Sequence, residues 1–349
     1  MLSGLGFGEP WNQNSHMFHC SFRSSIFLCL LLSVCQLDRA VALDKNLIGD
    51  WSFTTQTQEA GWISISEEGG EPVVSAMFGT GSLKPKSDVK EEGDWLTFPL
   101  RSKRAGKGGP VISKESVKLR FLKGALIGLH LVEEEHQRSE SSFYAKRLPP
   151  MPSKPDLEKV RFGEPINLFN GKNLDGWKVR RVYKKMGWSA KGGELVNETP
   201  KTDFSAYGDY ANLMTEQEFG DFHLHIEFNV GEQRNSGVYL RGMYEAQVVD
   251  RDSRMQGGAG VGAIFGRIKP THNAGKPGGE WNTYDLTLVD RHVTVVLNGE
   301  KVIDNQPVEG PTGGALYSDV TRKGPIYLQG DHTSVRYRSI VLRPVVGRE

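Results

Sequence analysis

The feature that most constrains this 349-residue sequence is its two-residue period. From Asp221 to Val230, Phe222, Leu224, Ile226 and Phe228 alternate with His223, His225, Glu227 and Asn229, the pattern of a strand with one buried face. Short runs of this kind, separated by Gly, Pro, Asn and Asp, recur along the chain, and no long amphipathic helix interrupts them. The spacing predicts an all-β protein.

Pro149, Pro150, Pro152, Pro155 and Pro165 fall among charged residues, a composition that resists helix and sheet alike. This predicts a linker at 149–163 between a small β domain at 43–148 and a second domain at 164–344. In the first, strands are expected at Asp50–Thr55, Trp62–Ser66, Val73–Phe78, Trp95–Leu100, Val117–Leu122, Ala125–Val132 and Ser142–Lys146, with a tight turn at Lys123-Gly124. Such a succession suits an up-and-down barrel or a small sandwich. Gly49-Asp50-Trp51 with Arg147 near the end resembles, at best, the lipocalin pattern, and a core tryptophan opening a strand is the preferred reading of the triplet.

Residues 1–42 read as an export signal. Arg23 precedes the apolar run Ile26–Cys35, and Ala40-Val41-Ala42 supplies the small residues of a cleavage site, with cleavage expected after Ala42. The run holds about half of the roughly 20 residues that a membrane span needs. Met17 lies closer to Arg23 than Met1 does, which marks an alternative start. Cys35 as a lipid-attachment point is disfavoured by the bulky Val34. Cys20, Cys29 and Cys35 are the three cysteines of the chain, so a cleaved product has no disulfide and no thiol metal ligand. The expected destination is the periplasm or exterior of a bacterial cell. With 43 basic and 42 acidic residues the charge excess is +1, which argues against nucleic acid or an anionic membrane and for a neutral, polar ligand.

In the second domain the alternation continues. Val238 and Leu240 point inward and Tyr239 and Arg241 outward, Glu245 and Gln247 share a face, and Trp281, Thr283 and Asp285 alternate with Tyr284, Leu286 and Leu288. Asn298-Gly299 predicts a hairpin turn, and Val335–Leu342 the last strand. Placed in one curved sheet, these strands give a non-core face rich in carboxylates, amides, an arginine and aromatic rings. That set suits sugars, whose hydroxyls pair with planar polar groups and whose C–H faces stack on rings. An ordinary solvated face is the alternative.

A series of ordered motifs runs along this domain. The motifs are Leu168-Phe169-Asn170-Gly171-Lys172-Asn173-Leu174-Asp175-Gly176-Trp177, Phe219-Gly220-Asp221-Phe222, Asn235-Ser236-Gly237-Val238-Tyr239-Leu240-Arg241-Gly242 and Tyr244-Glu245-Ala246-Gln247-Val248-Val249-Asp250. They continue with Gly262-Ala263-Ile264-Phe265-Gly266, Gly279-Glu280-Trp281-Asn282-Thr283-Tyr284, Asn298-Gly299 and Gly324-Pro325-Ile326-Tyr327-Leu328-Gln329. Together and in this order they resemble the 3-keto-disaccharide hydrolase family, from whose pattern Asn229 and Ser339 depart, standing where Arg and Asn are expected. The resemblance implies a concanavalin A-like jelly roll and cleavage of glycosides already oxidised at C3, by elimination to a 2-hydroxy-3-keto-glucal and then hydration.

A C3 ketone acidifies the hydrogen on C2, so such a site needs a base, an enolate stabiliser and an acid. Glu245 or Glu227 is the expected base, Arg241 with Tyr239 the stabiliser, and His332 the proton donor. Gln247, Asp250, Asn235, Trp281, Asn282 and Gln329 are the expected substrate contacts. Each has a plain alternative: Glu245 binding hydroxyls only, Arg241 pairing with Glu227, His332 as a loop residue. His223-x-His225-x-Glu227 has strand spacing that could share a divalent metal, and no further ligand is identifiable by spacing; otherwise no cofactor is expected. Glu245-x-Gln247-x-x-Asp250 compares with the Glu-x-Asp-x-x-Glu pattern of jelly-roll endoglucanases, but the central carboxylate is an amide, which weakens an ordinary retaining mechanism. A non-catalytic carbohydrate-binding module is the stronger alternative. The Gly-rich stretches at 257–262 and 271–279 are expected to frame the cleft and lack the strand-to-helix setting of a phosphate cradle.

Overall fold

The computed structural model describes residues 44–56, 58–104, 111–135, 137–200 and 209–349. The predicted export signal, with its cysteines and cleavage motif, lies outside the described residues. Among those described, the regular elements are strands and two short 3₁₀ turns, and no helix is long and apolar enough to cross a membrane.

The first sheet contains β1 (Gly49–Thr54), β2 (Ala60–Glu68), β3 (Glu71–Phe78), β4 (Thr80–Pro85), β5 (Lys90–Glu92), β6 (Trp95–Arg104), β7 (Val111–Leu122), β8 (Ala125–Glu134) and β9 (Gln137–Arg147). Their order is β4-β3-β2-β1-β9-β8-β7-β6-β5, antiparallel at every pairing. Because β4 and β5 are consecutive in the chain yet occupy opposite edges, the sheet curls on itself. Trp51, Phe53, Ile63, Val74, Leu96, Phe98, Val117, Leu126 and Phe143 then fill one interior, the architecture of a small, incompletely closed barrel. The seven strands expected from alternation are all present. β4 and β5 were silent in the sequence because neither buries a face. Lys123 (φ 51°) and Gly124 (φ 86°) form the expected tight turn. Trp51 is fully buried, and the Arg147 guanidinium lies 4.3 Å from its ring centroid while donating to the Asn46 and Ile48 carbonyls.

The Pro-rich segment is held rather than loose: Arg291 donates to the Pro149 carbonyl at 3.0 Å and Asn305 to that of Pro155 at 2.8 Å. It leads directly into β10 (Val160–Phe162), followed by β11 (Ile166–Asn167), β12 (Trp177–Val179), β13 (Trp188–Lys191), β14 (Glu194–Asn197), β15 (Leu213–Thr215), β16 (Phe222–Val230), β17 (Asn235–Leu240) and β18 (Tyr244–Val249). The chain ends with β19 (Trp281–Val289), β20 (His292–Leu297), β21 (Glu300–Pro307), β22 (Tyr327–Leu328) and β23 (Val335–Arg348).

These strands form two sheets. One runs β13-β14-β23-β16-β19-β20-β21, with β10 and β11 also on β23; the other runs β12-β15-β22-β17-β18. Their apolar faces enclose one core, as in a jelly-roll sandwich. Tyr284 crosses between them, its buried hydroxyl donating to the Gln247 carbonyl at 2.5 Å and accepting from Gly262 N at 2.7 Å. This partition corrects the expectation of a single curved sheet: β16 and β19 belong to one layer, β17 and β18 to the other.

Trp62, Met77, Leu148 and Val320 form a small apolar cluster where the curled sheet meets the sandwich. Arg267 lies 4.1 Å from the Trp62 ring centroid and donates to the Pro311 carbonyl, and burial lowers its pKa to about 10. The described residues beyond position 43 pack as one compact unit.

Candidate active site

The outer face of the β17–β18–β22 layer floors a cavity of about 300 Å³. Tyr239 from β17, Glu245 and Gln247 from β18, and Tyr327 from β22 line it, joined by Asn235, Gln329, Asp331 and His332. The alternation that put Glu245 and Gln247 on one face is what delivers both to it.

Glu245 is 3 % exposed. Burial raises its pKa to about 8, the Tyr239 hydrogen bond opposes that rise and the nearby Asp331 adds to it, so the side chain is largely protonated at neutral pH. Tyr239 completes the arrangement: its buried hydroxyl sits between two acceptors, the Gly313 carbonyl at 2.8 Å and the Glu245 carboxyl, whose charged form it favours against the effect of burial. Gly237, opposite Gln247 in the register, keeps this space open; a Cβ there would overlap Glu245 Oε1 and lie 2.9 Å from Cγ and Cδ.

His332 is moved the other way. Burial and the nearby Lys184 lower its pKa to about 3, so the ring is neutral. Its Nδ1 is 2.6 Å from Asp331 Oδ1; with Nδ1–H as donor, the lone pair resides on Nε2. The loop carrying this pair is fixed from several sides. Asn212 accepts from Gly330 N and Asp331 N, while Asn197 donates to the Gly330 and Thr333 carbonyls. Thr333 exchanges hydrogen bonds with the Asn235 backbone.

Two polar atoms at the cavity lack a protein partner. Asn235 Oδ1 and Gln329 Oε1 are buried acceptors with no hydrogen bond among the described residues. A buried acceptor without a donor costs about 1–3 kcal/mol.

The sequence profile of the 3-keto-alpha-glucoside-1,2-lyase-like domain matches residues 164–343, just over half of the chain. The chain belongs to this family. A 3-keto-disaccharide hydrolase of Bacteroides thetaiotaomicron is 24 % identical over an aligned length of 168, with 40 % of this chain and 57 % of that relative's length covered. Two crystal structures of provisionally assigned glycosyl hydrolases from Parabacteroides distasonis are also similar. One is 28 % identical, with a TM-score of 0.42, covering 57 % of this chain and 94 % of its own. The other is 21 % identical, with a TM-score of 0.43, covering 52 % and 94 %.

Within the lyase-like domain, the structure separates the remaining sequence candidates from the cavity. Glu227 is on β16, in the other sheet, 2.8 Å from Arg338; burial acts to raise its pKa and is outweighed by hydrogen bonds to Arg338 and Ser339, so the carboxylate is favoured. Trp281 is on the same sheet with the Arg338 guanidinium 4.0 Å from its ring centroid. Asn282 is buried as a scaffold, accepting from Lys276 N and Asn298 Nδ2. Asp250 is occupied by Gln233 N and Asp252 N. Of the proposed metal ligands, His225 Nδ1 lies 2.8 Å from Asp285 Oδ1 and His223 Nε2 3.7 Å from the same oxygen, away from the cavity. Among the described residues no group of three or more His, Cys, Asp and Glu is placed to hold a metal. Neither Gly-rich stretch lines the cavity; Met255 and Phe265, just outside 257–262, do. Of the two family departures, Asn229 donates to the Gly279 carbonyl and Ser339 takes a positive φ of 51° at a bulge in the β16–β23 register.

Arg241 is not available to an enolate. It occupies the β17–β18 turn with φ 55°, and its buried guanidinium donates to the carbonyls of Val320, at 2.7 Å, and Arg322. Arg241→Ala is therefore expected to cost about 3 kcal/mol in a urea titration by leaving these carbonyls unpaired. Unchanged stability with reduced kcat would contradict this structural role. The cation that does line the cavity is Arg180, which no periodicity marked; Asn212, Asp331 and Tyr327 were missed likewise.

Proposed function

We propose that this chain cleaves glycosides carrying a ketone at C3, by elimination at C1 followed by hydration. The observation that supports the reading most strongly is one cavity holding a protonated carboxyl, Glu245, and a neutral imidazole, His332, whose pKa values burial drives apart.

The two roles follow from these protonation states and reverse the order expected from the sequence. His332 Nε2 takes the proton from C2, with Asp331 orienting the ring and stabilising the imidazolium that forms. The C2 electron pair is delocalised onto the C3 oxygen, where the Arg180 guanidinium stabilises it. Collapse of the enolate restores the ketone, forms the C1–C2 double bond and breaks the bond from C1 to the leaving oxygen, which receives the Glu245 proton. In the second half, the Glu245 carboxylate accepts a proton from water as its oxygen bonds to C1, and His332 returns a proton to C2. The net change is hydrolysis, and both residues regain their starting states. Asn235 and Gln329 accept from ring hydroxyls, which suits the polar ligand that the near-neutral chain composition favours.

The test is incubation of the purified chain with a 3-keto disaccharide and with its unoxidised parent, following release of reducing sugar. Release from the keto form alone is expected. Cleavage of both would indicate an ordinary glycosidase, and binding without cleavage of either would indicate a carbohydrate-binding module.

A further inference from the structure

The family match begins at residue 164, yet the cavity is not built from that domain alone. Glu59, immediately before β2, and Thr80 and Gly81, at the start of β4, form part of its wall. Glu59 is aimed by Arg181, 3.4 Å away, and its carboxylate lies over Gly79, where φ is 74° and a side chain would collide with it.

The β3–β4 turn that carries Thr80 and Gly81 is clamped to the sandwich backbone to backbone. Gly314 N donates to the Gly79 carbonyl at 2.7 Å, and a Cβ on Gly313 would lie 2.8 Å from Gly81 N. The carbonyl of that same Gly313 receives the Tyr239 hydroxyl. One short backbone segment therefore ties the amino-terminal domain to the Tyr239–Glu245 pair.

Glu59 and Thr80 also line a second cavity, of about 410 Å³, in the mouth of the curled sheet. Ser141 and the stacked rings of Phe53 and Phe143, 4.2 Å apart, form part of its wall. The cavity at Glu245 is at the lower limit of roughly 300–1,000 Å³ for ligand sites, room for the reacting ring but little more. Whatever leaves from C1 must extend past it. One direction that offers both space and polar partners is across Glu59 and Thr80.

We infer that the amino-terminal β domain forms the leaving-group subsite, and that the leaving group it takes is a sugar. The Glu59 carboxylate accepts from its hydroxyls, and the Thr80 and Ser141 hydroxyls of the same cavity pair with others. This inference rests on the proposed 3-keto-glycoside reaction. It assigns the amino-terminal domain a place in the active site rather than a separate adhesive task.

The test compares a 3-keto disaccharide with methyl 3-keto-glucoside, whose leaving group is too small to reach Glu59, on wild type, Glu59→Ala and Ser141→Trp. The expected result is that the preference in kcat/KM for the disaccharide falls about tenfold in each variant, the order of one lost charge-assisted hydrogen bond or one blocked contact. A variant that merely disturbs packing lowers both substrates together, and an unchanged preference in both variants overturns the inference. If wild type turns over neither keto substrate, the proposed reaction has failed. The subsite is then judged by calorimetric titration of the unoxidised disaccharide and methyl glucoside: weaker disaccharide binding by Glu59→Ala alone keeps it, and equal binding overturns it.

Discussion

Glu245→Gln is expected to lower kcat on a 3-keto disaccharide by about 10²–10⁴-fold, the range that a positioned proton donor contributes, while KM changes little. The amide keeps the shape and the contact with Tyr239 but carries no transferable proton. The pH profile gives the sharper test. A donor must be protonated, and with its pKa near 8 wild-type kcat should hold through neutral pH and fall as pH rises through about 8. Were Glu245 the base, activity would instead rise through the same value. His332, neutral above about 3, adds no limb near neutrality. Folding is linked to the same group with the opposite sign from an ordinary salt-bridged carboxylate. Because the folded pKa is raised, the unfolded chain releases the proton first, near the usual Glu range, and stability falls as pH rises from there to about 8, then levels. Glu245→Gln should flatten that slope, which a set of urea titrations across this window would measure.

Gly237→Ala is expected to reduce kcat/KM by about 100-fold, because displacement of a catalytic group by about 1 Å is enough for a loss of that size. The added Cβ meets Glu245 at its oxygen and at both Cγ and Cδ, so rotating the carboxyl alone does not relieve the overlap, and the side chain must leave its present position for the cavity it lines. Overpacking of this kind costs about 1–3 kcal/mol, which the compact unit should withstand. A circular-dichroism melt would establish folding, and the falling limb of the pH profile should move with the altered surroundings of Glu245. Gly258→Ala, with nothing within 4 Å of its Cβ, is the matched control and should be silent. Wild-type kinetics in Gly237→Ala would mean that Glu245 does not need its present position.

Gly237 also shows how much of the site was legible. Its place in the Asn235–Gly242 motif was visible in the sequence, but its reason was not. Its backbone has no need of positive φ; what excludes a side chain is a carboxyl arriving from the neighbouring strand. Glu245 and Gln247 were legible as a pair because strand alternation is a local property, and His332 because the polar loop after β22 lies beside a family motif. Glu227, Trp281 and Asn282 obey the same alternation and were grouped with them, since period alone cannot distinguish two sheets.

The sequence by itself determined the β character of both halves, the tight turns at Lys123-Gly124 and Asn298-Gly299, and the family of the second half. All of these depend on near neighbours in the chain or on ordered motifs. Only the tertiary structure decided which polar residues meet. β22 is inserted between β15 and β17, and β23 between β14 and β16, pairings between segments about a hundred residues apart that assign each strand to its layer. Burial, which protonates Glu245, neutralises His332 and turns Arg241 into a clamp for two carbonyls, results from many such pairings acting together. For the same reason no local pattern could bring Glu59 of the first domain to the edge of a site built in the second.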